Sequence, residues 1–352
     1  MEILTLLKAN VRHKKGAFIS VILLMMIITL SFSVTVSNND NVYDGIQRAH
    51  KNADTGDLAA FISESELDDD ILKTLSENEN IERIRGENAM AFLSYKIGER
   101  EGKNPFFLLK WENSLPVYDE EIMEFQTAPD GLFEGEVYVP AAMKTVYGCD
   151  IGSEIMINTK NGEEKFTVKG FVEDPFLGSM SIGIKQFFIS ENDFERMYSE
   201  NTDNENAAFS LLFPCRIIHI FQAESSGLSI TEFKKELNRK CQIVDIALFT
   251  QSRESSDEIT TIFTETGTKM LCVYVLLLII VVMIAINHSI VTTIETEYVS
   301  LGILKAQGFT ENKIRLIYII QYFCALAIGG VIGIASSFPL TKILGKLFQP
   351  IT

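Results

Sequence analysis

Residues 16–36 read GAFISVILLMMIITLSFSVTV and contain no charged side chain. A helix rises about 1.5 Å per residue, so about 20 residues cross a hydrocarbon core of about 30 Å. Basic residues precede the run, as they also precede a cleaved signal peptide. The run is longer than the apolar part of a signal peptide and lacks a small-residue cleavage pattern, which favours an uncleaved membrane span.

Two further apolar runs lie toward the other end of the chain. Residues 270–286 read MLCVYVLLLIIVVMIAI and the apolar character continues to Val291, which predicts a second span at 268–291. Residues 316–338 read LIYIIQYFCALAIGGVIGIASSF and predict a third. The expected fold class is therefore a membrane protein with an α-helical transmembrane bundle, to which this chain contributes three spans.

The charges separate a soluble region from the spans. Residues 36–267 carry 43 acidic and 21 basic side chains, whereas the rest of the chain carries 4 acidic and 10 basic ones. We therefore expect one large domain at 37–267, inserted between the first two spans. The net charge of −16 without a basic stripe argues against nucleic acid as a partner.

The basic residues also predict the orientation. Four of them lie within residues 1–15, and none follows the first span until Arg48. Because positive charges favour the cytoplasmic side, residues 1–15 should be cytoplasmic and 37–267 extracytoplasmic. The connection 292–315 should then be cytoplasmic and the tail 339–352 external. The chain is predicted to be a multi-pass protein of the cell (plasma) membrane.

Residues 37–267 alternate between strand-like and helix-like segments, as in an α+β domain. The predicted strands are 57–63, 90–97, 154–158, 165–172 and 242–249, and the predicted helices are 67–76, 191–198 and 230–240. Asn161-Gly162 indicates a hairpin, and Ser229 with Glu232 forms a capping box. Residues 251–269 fit either a continuous helix into the second span or a flexible linker, because five threonines favour helix poorly.

The connection between the second and third spans contains IETEYVSLGILKAQGFTENKI, residues 294–314. Here the sequence resembles the FtsX-like (MacB-type) permease family of ATP-binding cassette (ABC) transporters. In that family a G-I-L-[RK]-A-x-G motif and a polar turn precede a glycine-rich span. This chain matches with GILKAQGF, then TENKI, then a span that contains Gly329, Gly330 and Gly333.

Three segments of the acidic domain extend the resemblance. They are EVYVP at 136–140, GCDIGSEI at 148–155 and FTVKGFV at 166–172, which resemble the MacB-like core domain. Ser153 stands where the family usually has Asp. The resemblance implies that residues 37–267 form a MacB-like extracytoplasmic core.

The resemblance implies a permease subunit whose short coupling helix docks on a separate ABC ATPase subunit. The expected ATPase-coupling residues are Glu295, Glu297, Val299, Leu301, Gly302, Ile303, Leu304, Lys305, Ala306, Gly308 and Phe309. Their apolar side chains exceed what a solvated loop needs, which favours contact with a partner protein. A helix lying on the bilayer surface is the alternative. Further expected partners are a second permease copy or a partner permease, and membrane lipids; the substrate stays open.

The glycines of the third span have a structural interpretation of their own. Gly329, Gly330 and Gly333 allow close helix approach. The pattern fits both dimerisation and helix packing within one subunit, and the second is favoured.

No catalytic motif is present, so we expect no enzyme activity in this chain and no cofactor. The sequence lacks a P-loop, H-E-x-x-H and G-x-S-x-G, and its four histidines have no metal-site spacing. Five cysteines are too few for a disulfide-stapled fold, and the disulfide state of Cys149, Cys215 and Cys241 stays open.

Two other functions stay open at this stage. The family's repeat closes with a fourth span and this chain ends at Thr352 before one, so a non-transporting, truncated permease scaffold is one alternative. An extracytoplasmic sensor is the other, although it would need a cytoplasmic signalling domain after the second span.

Overall fold

The computed structural model describes residues 15–98, 100–102, 105–112, 115–127, 131–159, 161–202, 212–296, 298–306 and 308–348. The chain divides into two compact units, one of apolar helices (residues 15–41 and 263–345) and one sheet domain (residues 42–262). The predicted apolar helices and the predicted α+β domain are both present. The expected N-terminal segment before Lys15, Glu297 and the last residues of the tail lie outside the described residues.

The helices and strands of the described residues are numbered here in chain order. The α-helices are α1 (Lys15–Asn52), α2 (Asp69–Ser76), α3 (Ala142–Tyr147), α4 (Glu191–Thr202), α5 (Ile230–Cys241), α6 (Ile243–Ile246), α7 (Arg253–Thr296), α8 (Tyr298–Ala306) and α9 (Glu311–Phe348). The strands are β1 (Leu58–Ser63), β2 (Ile81–Phe92), β3 (Tyr95–Ile97), β4 (Arg100–Gly102), β5 (Phe106–Lys110), β6 (Pro116–Asp119), β7 (Glu124–Thr127), β8 (Glu136–Pro140), β9 (Glu154–Thr159), β10 (Gly162–Val172), β11 (Gln186–Ile189), β12 (Leu212–Gln222) and β13 (Ala247–Ser252).

Helices α1, α7 and α9 are long and apolar enough to cross a membrane, judged by length and composition. All three extend well beyond the predicted spans, since α1 continues to Asn52, α7 begins at Arg253 and α9 runs from Glu311 to Phe348. The ends of the predicted connection 292–315 and most of the predicted tail 339–352 are therefore helical. The flexible-linker alternative for residues 251–269 is therefore wrong. Helix propensity is a weak preference that context overrides, and the Thr261 hydroxyl donates to the Asp257 carbonyl oxygen within the helix (2.8 Å).

The apolar unit is held together by side chains that the three helices share. Ile28 of α1 packs with Val275 and Val282 of α7. Val21 of α1 packs with buried residues of α9, including Ala325. Many other apolar side chains of these helices are exposed, as lipid-facing side chains are.

The sheet of the soluble unit has the strand order β13-β1-β12-β2-β5-β11-β8-β10-β9-β3-β4, with β6 and β7 attached beside β10. It is mixed, because β8–β10 and β5–β11 are parallel and the other pairs antiparallel. Both faces of β1 are buried. Ala59 and Phe61 belong to one core cluster, whereas Leu58, Ala60 and Ile62 belong to another that packs against α2 and α5.

Several predicted elements are confirmed. The capping box at Ser229 and Glu232 begins α5, and the hairpin joins β9 to β10. Gly162 pairs with Thr159, so it is the first strand residue after the turn, with φ +128°.

Two predicted strands are wrong in extent. Residues 90–97 divide into β2 and β3, because Ser94 interrupts the strand and its carbonyl oxygen accepts from Asn158 N of β9 (3.2 Å). The predicted strand 242–249 begins as helix α6, since the Asn238 side chain accepts from the backbone nitrogens of Val244 and Asp245. The first contact joins two separate strands, and the second holds residues with a strand-like sequence pattern in a helix.

Candidate functional site

The segment between the last two apolar helices forms the short helix α8. It has the sequence YVSLGILKA, and the second apolar helix α7 ends just before it at Thr296. After α8 the chain turns at Gly308, whose φ of +94° suits glycine, and Gly308 N donates to the Lys305 carbonyl oxygen (3.0 Å). Helix α9 then begins at Glu311.

One face of α8 is apolar and exposed. Val299, Gly302, Ile303 and Ala306 follow the spacing of three and four residues that places side chains on one helix face. Val299 is 75% exposed and Ile303 is 55% exposed. An exposed apolar face of this kind is able to bury surface against a partner.

Charged and polar groups border this face. Lys305 forms an ion pair with Glu311 at 2.6 Å, which links the end of α8 to the start of α9. Glu295 is exposed near the end of α7, and Phe309 is half-buried in the turn. Leu301 and Leu304 lie in the helical backbone of α8.

The glycines of α9 lie against α1. A Cβ at Gly329 would lie 2.5 Å from the Ile22 carbonyl oxygen, and one at Gly333 would lie 2.6 Å from the Met26 carbonyl oxygen. A Cβ at Gly330 would have its nearest neighbour at 3.9 Å, an ordinary contact. Two of the three glycines therefore lie where α1 and α9 approach closely within one chain.

A match to a known protein family covers the region that contains α8 and α9. Residues 272–352 match the family model described as FtsX-like permease C-terminal. This part of the chain is similar to an FtsX-like permease domain. The resemblance to the FtsX-like permease family is confirmed for these residues, and that family supplies membrane components of transporters. No curated protein matches the sequence.

The FtsX-like domain match covers most of α7, all of α8 and α9, and the three glycines. The segments that resemble a MacB-like core lie outside the match. In the structure these segments form β8, the turn that follows α3 with the first residues of β9, and the second part of β10. Strands β8 and β10 pair in parallel.

A polar joint, which sequence reasoning missed, connects α1 to α7 within the sheet domain. His50 Nε2 lies 2.8 Å from Asp257 Oδ1, and His50 Nδ1 lies 2.6 Å from Thr55 Oγ1. The Gln47 side chain donates from Nε2 to Asp257 Oδ2 (2.9 Å), and its Oε1 accepts from Arg253 (2.9 Å). His50 is 1% exposed, so these bonds form away from bulk water.

The same part of α7 also binds the sheet domain directly. The Ser256 hydroxyl lies 2.9 Å from the Pro175 carbonyl oxygen and 2.8 Å from that of Phe176. His50 and Asp257 are 207 positions apart, so no local pattern in the sequence could have brought them together.

The described residues give no metal centre and no disulfide. Within them, no three His, Cys, Asp or Glu side chains come together as metal ligands. Cys149, Cys215 and Cys241 are free thiols, and burial raises the pKa of each. Raised thiol pKa values leave little thiolate at neutral pH.

Proposed function

We propose that this chain is the permease subunit of an ABC transporter in which a separate ATPase subunit hydrolyses ATP. Helix α8 is the docking element, and residues 42–262 are the extracytoplasmic part that moves. Export, extraction and mechanotransmission are all compatible with this role. The chain would act with a second permease copy or a partner permease, in contact with membrane lipids.

The exposed apolar face of α8 supports this proposal more than any other observation. Interface cores are depleted of charge and rich in apolar side chains, and their rims are polar. Val299 and Ile303 on the face, with Glu295 and Lys305 beside it, have this composition. Partner contacts of Glu297, Leu301, Leu304, Gly308 and Phe309 belong to the same proposal.

The helices that leave the membrane unit supply a route for the movement. Helices α1 and α7 are each continuous in the chain from an apolar stretch into the sheet domain, where the polar joint ties them to one another. On this proposal, a displacement of the apolar helices is transmitted along α1 and α7 to the sheet domain.

The test is a charge placed in the docking face. In the full chain, Ile303→Asp should reduce copurification of an ABC ATPase from native membranes by about tenfold or more, because a carboxylate would be buried at the contact. Charge reversal at Glu297 together with Leu304→Asp should likewise abolish stimulation of ATP hydrolysis. Both variants should insert into the membrane at the normal level.

Thr310→Asp is the matched control. Thr310 is exposed, immediately precedes α9 and lies outside the docking face, and Asp is a favourable residue at a helix start. Two outcomes would refute the proposed docking face. One is that the ATPase fails to copurify with Thr310→Asp as well as with Ile303→Asp; the other is that it copurifies normally with all three variants.

A further inference from the structure

The loop at residues 173–185 joins β10 to β11 and is wound around a buried lysine. Lys185 is 2% exposed, and its Nζ donates to the carbonyl oxygens of Leu177 (2.9 Å), Ser179 (2.6 Å) and Ile182 (2.5 Å). An ammonium group has three N–H donors, so all of them are used within this lysine-centred loop. Burial lowers the pKa of Lys185 to about 8, which leaves the ammonium form predominant at pH 7.

Further bonds fix the first half of the lysine-centred loop. Asp174 Oδ1 accepts from Phe176 N (2.9 Å) and Leu177 N (3.1 Å). Gly178 N donates to the Asp174 carbonyl oxygen (3.0 Å), and a Cβ at Gly178 would overlap that oxygen. The side chains of Phe176 and Leu177 are buried in the core of the sheet domain. The loop is therefore tightly packed, whereas most connecting segments are solvated and mobile.

Helix α7 binds the lysine-centred loop through a buried hydroxyl group. Ser256 is 0% exposed, and its Oγ is within hydrogen-bonding distance of two carbonyl oxygens of the loop, those of Pro175 and Phe176. The Phe176 ring also meets the ring of His50 edge-on, with 6.2 Å between the ring centres. Since His50 bonds Asp257, the loop lies against both α7 and the polar joint.

The strand order shows where this contact leads. Helix α7 follows β13 directly and α1 leads into β1, and these two strands lie at one end of the sheet. The lysine-centred loop instead joins β10 to β11, and β12, β2 and β5 lie between β1 and β11. The contact at Ser256 therefore connects α7 to the middle of the sheet without passing through those three strands.

We propose that the lysine-centred loop couples the position of α7 to the middle of the sheet, with Ser256 as the contact and Lys185 as the residue that keeps the loop stiff. Both are positioning residues. The competing route is the end of the sheet at β13, which α7 follows directly. The use of this coupling in transport rests on the proposed function, whereas the coupling itself belongs to the chain alone and needs no ATPase.

Hydrogen–deuterium exchange of the full chain in detergent at pH 7, read by mass spectrometry, measures the coupling. Ser256→Ala should increase the exchange rates of amides in residues 176–189 by about tenfold or more, because two buried carbonyl oxygens lose their donor and the loop opens more often. Exchange in α5, which packs on the other core cluster, should not change.

Thr261→Ala is the matched control for Ser256→Ala. Thr261 lies in the same helix, and its hydroxyl donates to the carbonyl oxygens of Asp257 and Glu258 within α7. Its removal should leave exchange in the lysine-centred loop at the parental rate.

The reverse substitution tests whether the coupling is mutual. Lys185→Met keeps a long side chain and removes the three donors, so the loop should open and amides in residues 253–260 of α7 should exchange about fivefold faster or more. Coupling between two sites is reciprocal, which requires an effect in both directions. If Lys185→Met does not fold, Ser256→Ala and its control decide the question.

A complex with an ABC ATPase extends the test to movement. Addition of ATP should change exchange in β11 of the parent chain and not in Ser256→Ala, while both chains copurify equal amounts of the ATPase. Failure to copurify any ATPase would refute the proposed function and leave the exchange results of the chain alone intact.

Three results would overturn the coupling. One is parental exchange of the lysine-centred loop in Ser256→Ala. Another is an equal increase in α5, which would indicate general destabilisation of the sheet domain. The third is an ATP-dependent change in β11 that persists in Ser256→Ala, which would show that movement enters the sheet at β13.

Discussion

At the scale of single residues, the buried histidine His219 makes the stability of the sheet domain depend on pH. It is 3% exposed, Gly56 N donates to its Nδ1 (3.4 Å), and its Nε2 lies 3.6 Å from Glu87. Burial, assisted by the charge of Arg85, lowers the pKa of His219, whereas Glu87 and Asp54 act in the opposite direction.

The lowered pKa predicts loss of stability in acid. Below pH about 6.5 the unfolded chain takes up a proton at this histidine that folded His219 does not, so the free energy of unfolding should fall as the pH falls, by up to about 1.4 kcal/mol per pH unit. His219→Asn should reduce the difference in unfolding free energy between pH 7 and pH 5, measured by urea titration of the full chain in detergent.

The control for this prediction is His288→Asn, which changes a histidine outside the sheet domain. Glu173 and Asp174 have raised pKa values and contribute the opposite slope, so the comparison must be made between variant and parent chain. An identical pH dependence in His219→Asn and the parent chain would contradict the assignment.

At the scale of elements, the contact between α1 and α9 distinguishes glycines that look equivalent in the sequence. The GG pair at 329–330 lies in one apolar run, yet Gly329 meets the backbone of α1 and Gly330 has ordinary space. The reason is geometric, since neighbouring residues on a helix point about 100° apart and only one of the two faces α1.

This difference predicts opposite outcomes for two adjacent alanine substitutions. Gly329→Ala should destabilise the apolar unit by about 1–3 kcal/mol, because its Cβ would overlap the Ile22 carbonyl oxygen and the helices would have to separate. Gly330→Ala should be neutral or stabilising by up to about 1 kcal/mol, as alanine is the better helix former. Unfolding of both variants in sodium dodecyl sulfate measures the difference; equal losses would refute the packing assignment.

At the scale of the whole molecule, charge asymmetry predicts an orientation in the membrane that is open to direct measurement. The loop region around α8 holds Lys305, Lys313 and Arg315, which favour the cytoplasmic side. The sheet domain is separated from this loop region by one predicted span and should therefore lie outside.

Labelling with a membrane-impermeant maleimide tests this orientation. Glu163→Cys should be labelled in intact cells, whereas Thr310→Cys should be labelled only after permeabilisation. The parent chain accounts for labelling of the five native cysteines. Labelling of Thr310→Cys in intact cells would reverse the proposed topology and, with it, the access of α8 to an ATPase that works in the cytoplasm.

The sequence alone determined the features that depend on neighbouring residues. Three charge-free apolar runs fixed the three long helices, because spanning length is a property of consecutive residues. The capping box at Ser229 and the hairpin at Asn161 are equally local. The motif GILKAQGF indicated the permease family from residues that lie side by side in the chain.

Only the tertiary structure decided which distant residues meet. It brought His50 to Asp257, left Oδ2 of Asp174 buried without a hydrogen-bond partner, and divided residues 90–97 between two strands. Each outcome depends on packing between elements that are far apart in the chain, and such contacts form only when the fold brings those elements together in space. A sequence pattern gives the periodicity of one element but not how that element is aligned with its neighbours. These features could therefore not be predicted before the fold was known.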